Sequence, residues 1–249
     1  SSYALKKPVL TEHIAITNCI ITGYKLGSLL DGNYIPEPVS WVCGRFKLGT
    51  ESNGGYKNIS LSNCTFMYSS GLAFEEVDQG IMENITVSNI TMNHVHHYPI
   101  YITTGCRNRG PKERTTVSTG RDIMISNMVA NDVDSLAGII VTGMPDEPLR
   151  NISLNNIQLQ FRGGGTADLA KREYREQGKN YPEAKFAKET PAYGLFARHV
   201  DGLEVNNVTF RTMKPEYRPA MMLIDVKNES INDVQADLQK GVKKLVVKK

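Results

Sequence analysis

Asn84-Ile-Thr-Val-Ser-Asn89-Ile is the phrase on which the fold turns, because the chain repeats it. It recurs as His13-Ile-Ala-Ile-Thr-Asn18-Cys, Asn58-Ile-Ser-Leu-Ser-Asn63-Cys, Asp122-Ile-Met-Ile-Ser-Asn127-Met, Asn151-Ile-Ser-Leu-Asn-Asn156-Ile and Gly202-Leu-Glu-Val-Asn-Asn207-Val. A looser copy, Ser230-Ile-Asn-Asp-Val, carries Asp233 in the asparagine's place. Alternation of apolar and polar residues at period two, rich in Ile, Val and Thr, marks a strand and argues against a helix. Asparagine closes each phrase because its short side chain tolerates a left-handed or turn backbone.

The closing asparagines lie 45, 26, 38, 29 and 51 residues apart, and Asp233 follows 26 residues after the last. The shortest interval leaves no room for a helix-bearing crossover at every step. A second apolar phrase follows each asparagine: Gly71-Leu-Ala-Phe-Glu75, Pro99-Ile-Tyr-Ile-Thr103, Gly138-Ile-Ile-Val-Thr142, Gly194-Leu-Phe-Ala-Arg198 and Ala220-Met-Met-Leu-Ile224. Two short strands per repeat cannot bury their faces alone but can do so by stacking on the next copy. The predicted fold is all-β, a right-handed parallel β-helix with buried asparagines stacked about 4.8 Å apart. Residues 1–249 read as a single β-helix domain lacking its N-terminal coils. Residues 162–191 interrupt it as an insertion on the cleft face, with a short helix over 166–178 begun by Thr166 and closed by Gly178. A basic excursion covers 105–114, and the final Lys-Lys-Leu-Val-Val-Lys-Lys either shields the open end or trails as a tail.

Composition narrows the classes. The 249 residues carry a net charge of +3, 40 % hydrophobic and 22 % charged residues, and a mean hydropathy of −0.32. These values exclude a disordered chain, and the short apolar runs exclude a transmembrane helix. So small a net charge argues against nucleic acid as a partner held by bulk electrostatics. No signal-peptide apolar stretch follows Ser1. Cys19, Cys43, Cys64 and Cys106 form no CxxC pair, so buried reduced thiols are expected, with neither a zinc site nor a disulfide scaffold.

Three segments carry a resemblance: Gly44-Arg-Phe-Lys-Leu-Gly-Thr-Glu-Ser-Asn-Gly-Gly55, Gly71-Leu-Ala-Phe-Glu-Glu-Val-Asp-Gln-Gly80 and Pro191-Ala-Tyr-Gly-Leu-Phe-Ala-Arg-His-Val200. They resemble the C-terminal two-thirds of glycoside hydrolase family 28, the polygalacturonase and rhamnogalacturonan hydrolase type. The resemblance implies inverting hydrolysis of pectic, galacturonate-containing polysaccharide, with no cofactor and a secreted or periplasmic setting. The family's catalytic aspartates have no counterpart here. Its GHG position falls at Gly44-Arg45-Phe46 without a histidine, and its RIK position falls at Ala73-Phe74-Glu75 without a basic residue. Either the aspartates precede Ser1 in a longer hydrolase, or the chemistry is displaced onto other residues.

The displaced candidates for catalysis are Glu75, Glu76 and Asp78, since an inverting glycosidase needs two carboxyls about 6.5–9.5 Å apart around a water. A solubilising surface turn is the plainer reading of the same cluster. Arg45 and Lys47 alternate outward and suit a uronate carboxylate, the first as a fork and the second as a point charge; ion pairs with Asp31 or Glu75 compete with that role. Glu51, Arg198 and Tyr101 join them as substrate-binding candidates, Tyr101 as a platform for a sugar ring. Arg107 and Arg109 are further candidates of the basic kind. His94, His96 and His97 lack an acid or cysteine to complete a metal set, so no metal is expected. Besides a uronic-acid oligosaccharide or polysaccharide as substrate partner, the alternatives are a non-catalytic β-helix that binds acidic glycans and a polysaccharide lyase, which needs calcium and a basic proton abstractor.

Overall fold

The computed structural model describes residues 7–26, 32, 35–36, 44–109, 117–135, 138–183, 189–242 and 245–249. The strands are β1 Thr11–Thr17, β2 Ile20–Thr22, β3 Tyr24–Leu26, β4 Ile35–Pro36, β5 Phe46–Thr50, β6 Gly55–Met67, β7 Leu72–Glu76 and β8 Ile81–Val95. They continue as β9 Ile100–Thr104, β10 Thr119–Val133, β11 Ile139–Thr142, β12 Leu149–Phe161, β13 Leu195–Thr212, β14 Met221–Lys227, β15 Ser230–Ala236 and β16 Val246–Lys248. Fourteen of them form one sheet whose main path runs β1-β6-β8-β10-β12-β13-β11-β9-β7-β5, with every pairing in it parallel. The path doubles back through β13, whose first half pairs with β11 and β14 and whose second half pairs with β12 and β15. This is a parallel β-helix, and the second apolar phrases are its short strands β7, β9, β11, the start of β13, and β14.

Register stacks like on like. Ile59, Ile85, Ile123, Ile152 and Leu203 face inward in one column, and Leu61, Val87, Ile125, Leu154 and Val205 in another, none more than 2 % exposed. Full burial of such side chains contributes about 1.5–3 kcal/mol each. Cys19 and Cys64 fall at equivalent places in adjacent coils, and both, with Cys106, are free thiols; Cys43 lies outside the described residues.

The asparagines behave differently from expectation in two ways. Only Asn18 ends its strand, following Thr17 at the close of β1; β6, β8, β10, β12 and β13 run straight through the others and bend there. Both ends of the phrase are left-handed, as at Asn84 with φ 53° and Asn89 with φ 56°. Nor is the ladder buried. Asn63, Asn89, Asn127, Asn156 and Asn207 are exposed, and from Asn89 onward each donates its amide to the one before: Asn89 to Asn63 at 3.0 Å, Asn127 to Asn89 at 3.1 Å, Asn156 to Asn127 at 2.7 Å and Asn207 to Asn156 at 3.0 Å. The left-handed backbone turns the chain at a corner and leaves the amide on the outside, where its neighbours satisfy it along the axis.

The expected helix over 166–178 shrinks to one 3-10 turn, Leu169–Lys171, without a side-chain cap. The carbonyls a helix would use are committed elsewhere: those of Tyr174 and Arg175 accept from Arg198, and that of Gly178 from the Cys106 N–H. At the C-terminus, Val246–Lys248 adds a strand to β14, so this end of the sheet is extended by a charged edge; Lys243 and Lys244 lie outside the described residues.

Candidate functional site

One outward face of the winding is covered by the chain itself. Across β5, β7, β9, β11, the first half of β13 and β14, the outward positions align as Lys47, Ala73, Tyr101, Ile140, Phe196 and Met222. The next outward row is Gly49, Glu75, Thr103, Thr142, Arg198 and Ile224. Residues 174–183 cross these rows as a strap. Its apolar end packs Tyr174 on Phe196, ring centroids 4.9 Å apart, over Ala73, Tyr101 and Ile140. In the middle, Tyr101 donates to Gln177 Oε1 at 3.2 Å, while Arg198 donates to the carbonyls of Tyr174 and Arg175 at 2.7 Å each. Tyr101 and Arg198, expected to meet a sugar, are therefore only 2 % and 5 % exposed. An outward side chain was correctly read from the alternation, but the segment that lies over it has no signature in that pattern.

The strap's far end is a clasp. Arg45 donates to Glu183 twice, from Nη2 to Oε1 at 2.5 Å and from Nη1 to Oε2 at 3.2 Å, and also to the Tyr98 hydroxyl at 3.1 Å. Lys47 Nζ lies 3.5 Å from Glu183 Oε1 and 2.6 Å from Glu75 Oε2. Burial opposes the charge on Arg45, but the hydrogen bond to Glu183 and the charges of Tyr98, Glu183 and Glu75 together outweigh it and hold the guanidinium above its ordinary range. Tyr181, exposed at the rim, lies beneath two cations, with Lys47 5.8 Å and Arg107 5.3 Å from its ring centre. Of the two ion pairs expected for Arg45 and Lys47, Lys47 with Glu75 is present. Asp31 lies outside the described residues.

The three candidate carboxylates are fully buried, so the surface-turn reading fails; each is enclosed by its own partners. Glu75 Oε2 accepts from Lys47 and from Thr50 Oγ1 at 3.1 Å, while its Oε1 has no partner among the described residues. Burial raises the Glu75 carboxyl above the usual range, with Lys47 pulling it down. Gly49 makes room for it: φ is +121°, and a Cβ there would lie 2.1 Å from the Glu75 carbonyl oxygen. Glu76, one residue on, turns the other way. Its Oε1 accepts the backbone N–H groups of Asp78 at 3.2 Å and Gly80 at 3.3 Å, and burial pushes its carboxyl up to about 8. Asp78 is gripped by Arg107 at 3.3 and 2.6 Å and by the Arg109 N–H at 3.1 Å. Glu51, 40 % exposed at its side chain, pairs with Arg109 and lies 4.0 Å from Arg107. Glu76 and Asp78 thus hold the turn after β7, and Glu75 is the one of the three on the strap side.

The histidines disperse. His94 pairs with Asp132 and stacks on Tyr68 at 4.4 Å, Arg162 binds the other side of Asp132 at 2.6 Å, and His96 is buried with its charge disfavoured by desolvation. No metal-holding group of three such side chains exists among the described residues. An open groove of about 590 Å³ lies elsewhere, between Asn84 and Ser230. Its two acids are already engaged, Asp122 by Asn151 at 2.8 Å and Glu204 by Ser153 at 2.9 Å, so it offers space without chemistry.

Sequence reasoning missed Glu183, Tyr98, Gln177 and Tyr181. The one available signal was Tyr181-Pro182-Glu183, an aromatic and an acid flanking a proline inside the insertion. No helix among the described residues is long and apolar enough to cross a membrane. No protein-family model, curated protein or solved structure matches the chain.

Proposed function

We propose that this β-helix acts on pectic, galacturonate-containing polysaccharide as an inverting glycoside hydrolase of the family 28 kind, outside the cytoplasm, with the strap-covered ledge as its substrate face. The observation that carries the reading is that Arg45, Lys47 and Tyr98 form a cradle that holds a carboxylate. A planar fork on one side and an ammonium on the other is the arrangement a uronate ring would need. Glu75 stands 2.6 Å from that ammonium. Its raised affinity for a proton fits it to protonate the departing glycosidic oxygen while a water attacks the anomeric carbon from the opposite face and gives its own proton to a second carboxylate.

The burial of Glu75, Glu76 and Asp78 favours a second reading, a β-helix that binds acidic glycans without turning them over. Reducing-end release from polygalacturonate separates the two. Hydrolysis lost at least a hundredfold in Glu75→Gln supports the first; Arg45-dependent binding without release supports the second; an unsaturated product points to a lyase. Absence of any binding to polygalacturonate removes the uronate reading altogether. Lys47→Met is expected to weaken trigalacturonate binding about tenfold, the loss of one charge-assisted contact.

A further inference from the structure

Resting on that reading of the cradle, we propose that Glu183 is a built-in competitor whose carboxylate occupies the uronate position, so that an acidic sugar enters only by displacing the 176–183 end of the strap. Three features separate this contact from an ordinary surface ion pair. It is enclosed: the Arg45 and Glu183 side chains are only 12 % and 11 % exposed. It is complete, with both carboxylate oxygens bound by one guanidinium and one of them shared with Lys47. It is also one-sided, because the other partners of the cradle, Tyr98 and Glu75, belong to the β-helix and stay when the strap leaves.

The strap is built for release from this end. Its Tyr174 end is fixed by apolar packing and by two Arg198 bonds to backbone carbonyls. The clasp end is held mainly by side chains, Glu183 on Arg45 and Lys47, Tyr181 against Lys47 and Arg107, and Gln177 on Tyr101, with one backbone bond from the Cys106 N–H to the Gly178 carbonyl at 2.9 Å. An anionic ligand replaces the Glu183 contacts like for like, whereas nothing in it replaces the Tyr174 contacts. A carboxylate tethered at this range competes at a millimolar effective concentration, so a ligand of moderate affinity binds through a population reduced by that competition.

Isothermal titration of trigalacturonate and of its fully methyl-esterified form into wild type, Glu183→Gln, Glu183→Ala and Arg45→Ala tests this. Glu183→Ala is expected to bind the acid trimer at least about tenfold more tightly than wild type, with Glu183→Gln between them and no gain for the uncharged ester. A smaller gain in the presence of Arg45-dependent binding overturns the competitor and leaves the uronate site standing. An equal gain for the ester also overturns it, since that reports opened space and not released charge. No Arg45-dependent binding by any protein overturns the site and the competitor together. Hydrogen exchange on the wild type gives a reading free of variant folding: saturating trigalacturonate is expected to speed exchange across 176–183, and unchanged or slower exchange there overturns the displacement.

Discussion

The ladder corner and the strap-covered ledge are built on the same registered strands and use them in opposite ways. At the corner, coil after coil presents one amide at one left-handed backbone, exposed and bonded to its copy in the next coil. On the ledge, successive coils present Lys47, Ala73, Tyr101, Ile140 and Phe196, no two alike, and ionisable groups sit out of water with partners from elsewhere in the chain. Repetition suits a surface whose only task is to continue the winding, because identical neighbours satisfy one another. Variation appears where a non-repeating segment has to be held, since a buried charge requires a specific partner.

The largest expected effect lies in the core that both surfaces share. Phe210 is fully buried, with Phe161 and Tyr193 rings 6.3 and 6.4 Å away. Phe210→Ala is expected to lose about 3–5 kcal/mol in urea unfolding, whichever surface is then perturbed. A loss below about 1 kcal/mol would mean that coils unfold separately and the comparison is between independent units.

Next comes a stability that depends on pH through Glu76, buried at the turn after β7 beside the ledge. Its folded value of about 8 lies above the ordinary 4.5 of a glutamate, so the folded state holds the proton more tightly than the unfolded chain does. The stabilisation is fully present below pH 4.5, falls as pH rises from 4.5 to about 8, and changes no further above that, a loss on the order of 5 kcal/mol. Glu76→Gln should flatten this window in urea titrations run from pH 4.5 to 9. An unchanged slope in the variant would assign the dependence to other groups.

The ladder's signature is smaller and free of pH. Asn127→Ala removes the bonds to Asn89 and Asn156 and places a less tolerant residue at φ 53°, an expected loss of about 1–2 kcal/mol. Asn127→Gly restores the backbone freedom and not the amide, so it should recover about half of that loss. If glycine and alanine are equally destabilising, the amide carries the ladder; if glycine is neutral, the backbone does.

This contrast also sets what the sequence made legible. Period-two phrases ending in asparagine reveal the winding because repetition is written in the chain, and Leu72–Glu76, Ile100–Thr104 and Ile139–Thr142 fall where the second phrases predict them. Alternation also gave the outward direction of Glu75, Tyr101 and Arg198 correctly. It cannot give their burial, because cover comes from residues 174–183, more than seventy positions from Tyr101, along a path that no local pattern encodes. The ladder erred in the opposite sense: stacked amides were expected inside, but the left-handed corner that asparagine permits leaves them outside. Glu183 was invisible for the same reason as the strap, since its meaning arises only when it reaches Arg45.

The smallest effect is expected at the charged row beside the ladder, where Glu12, Lys57, Glu83, Arg121, Arg150 and Asp201 stand in register. Glu83 is served twice, by Lys57 at 2.8 Å and by Arg121 at 2.6 Å, and those hydrogen bonds hold its carboxyl below the usual range. Arg121 is 56 % exposed at its side chain and faces Arg150 on its other flank, a like charge in the adjacent strand. Arg121→Ala therefore leaves Glu83 paired with Lys57 and relieves a repulsion, so the change should be the smallest of the set and shrink further in added salt. The Arg45–Glu183 pair, of the same chemical type but enclosed, should respond much more strongly to loss of one partner, because the survivor stays out of water. Measured side by side in urea at low and high salt, Arg121→Ala and Glu183→Ala isolate what the strap adds to an ion pair: equal losses would show that the cover excludes too little water to matter.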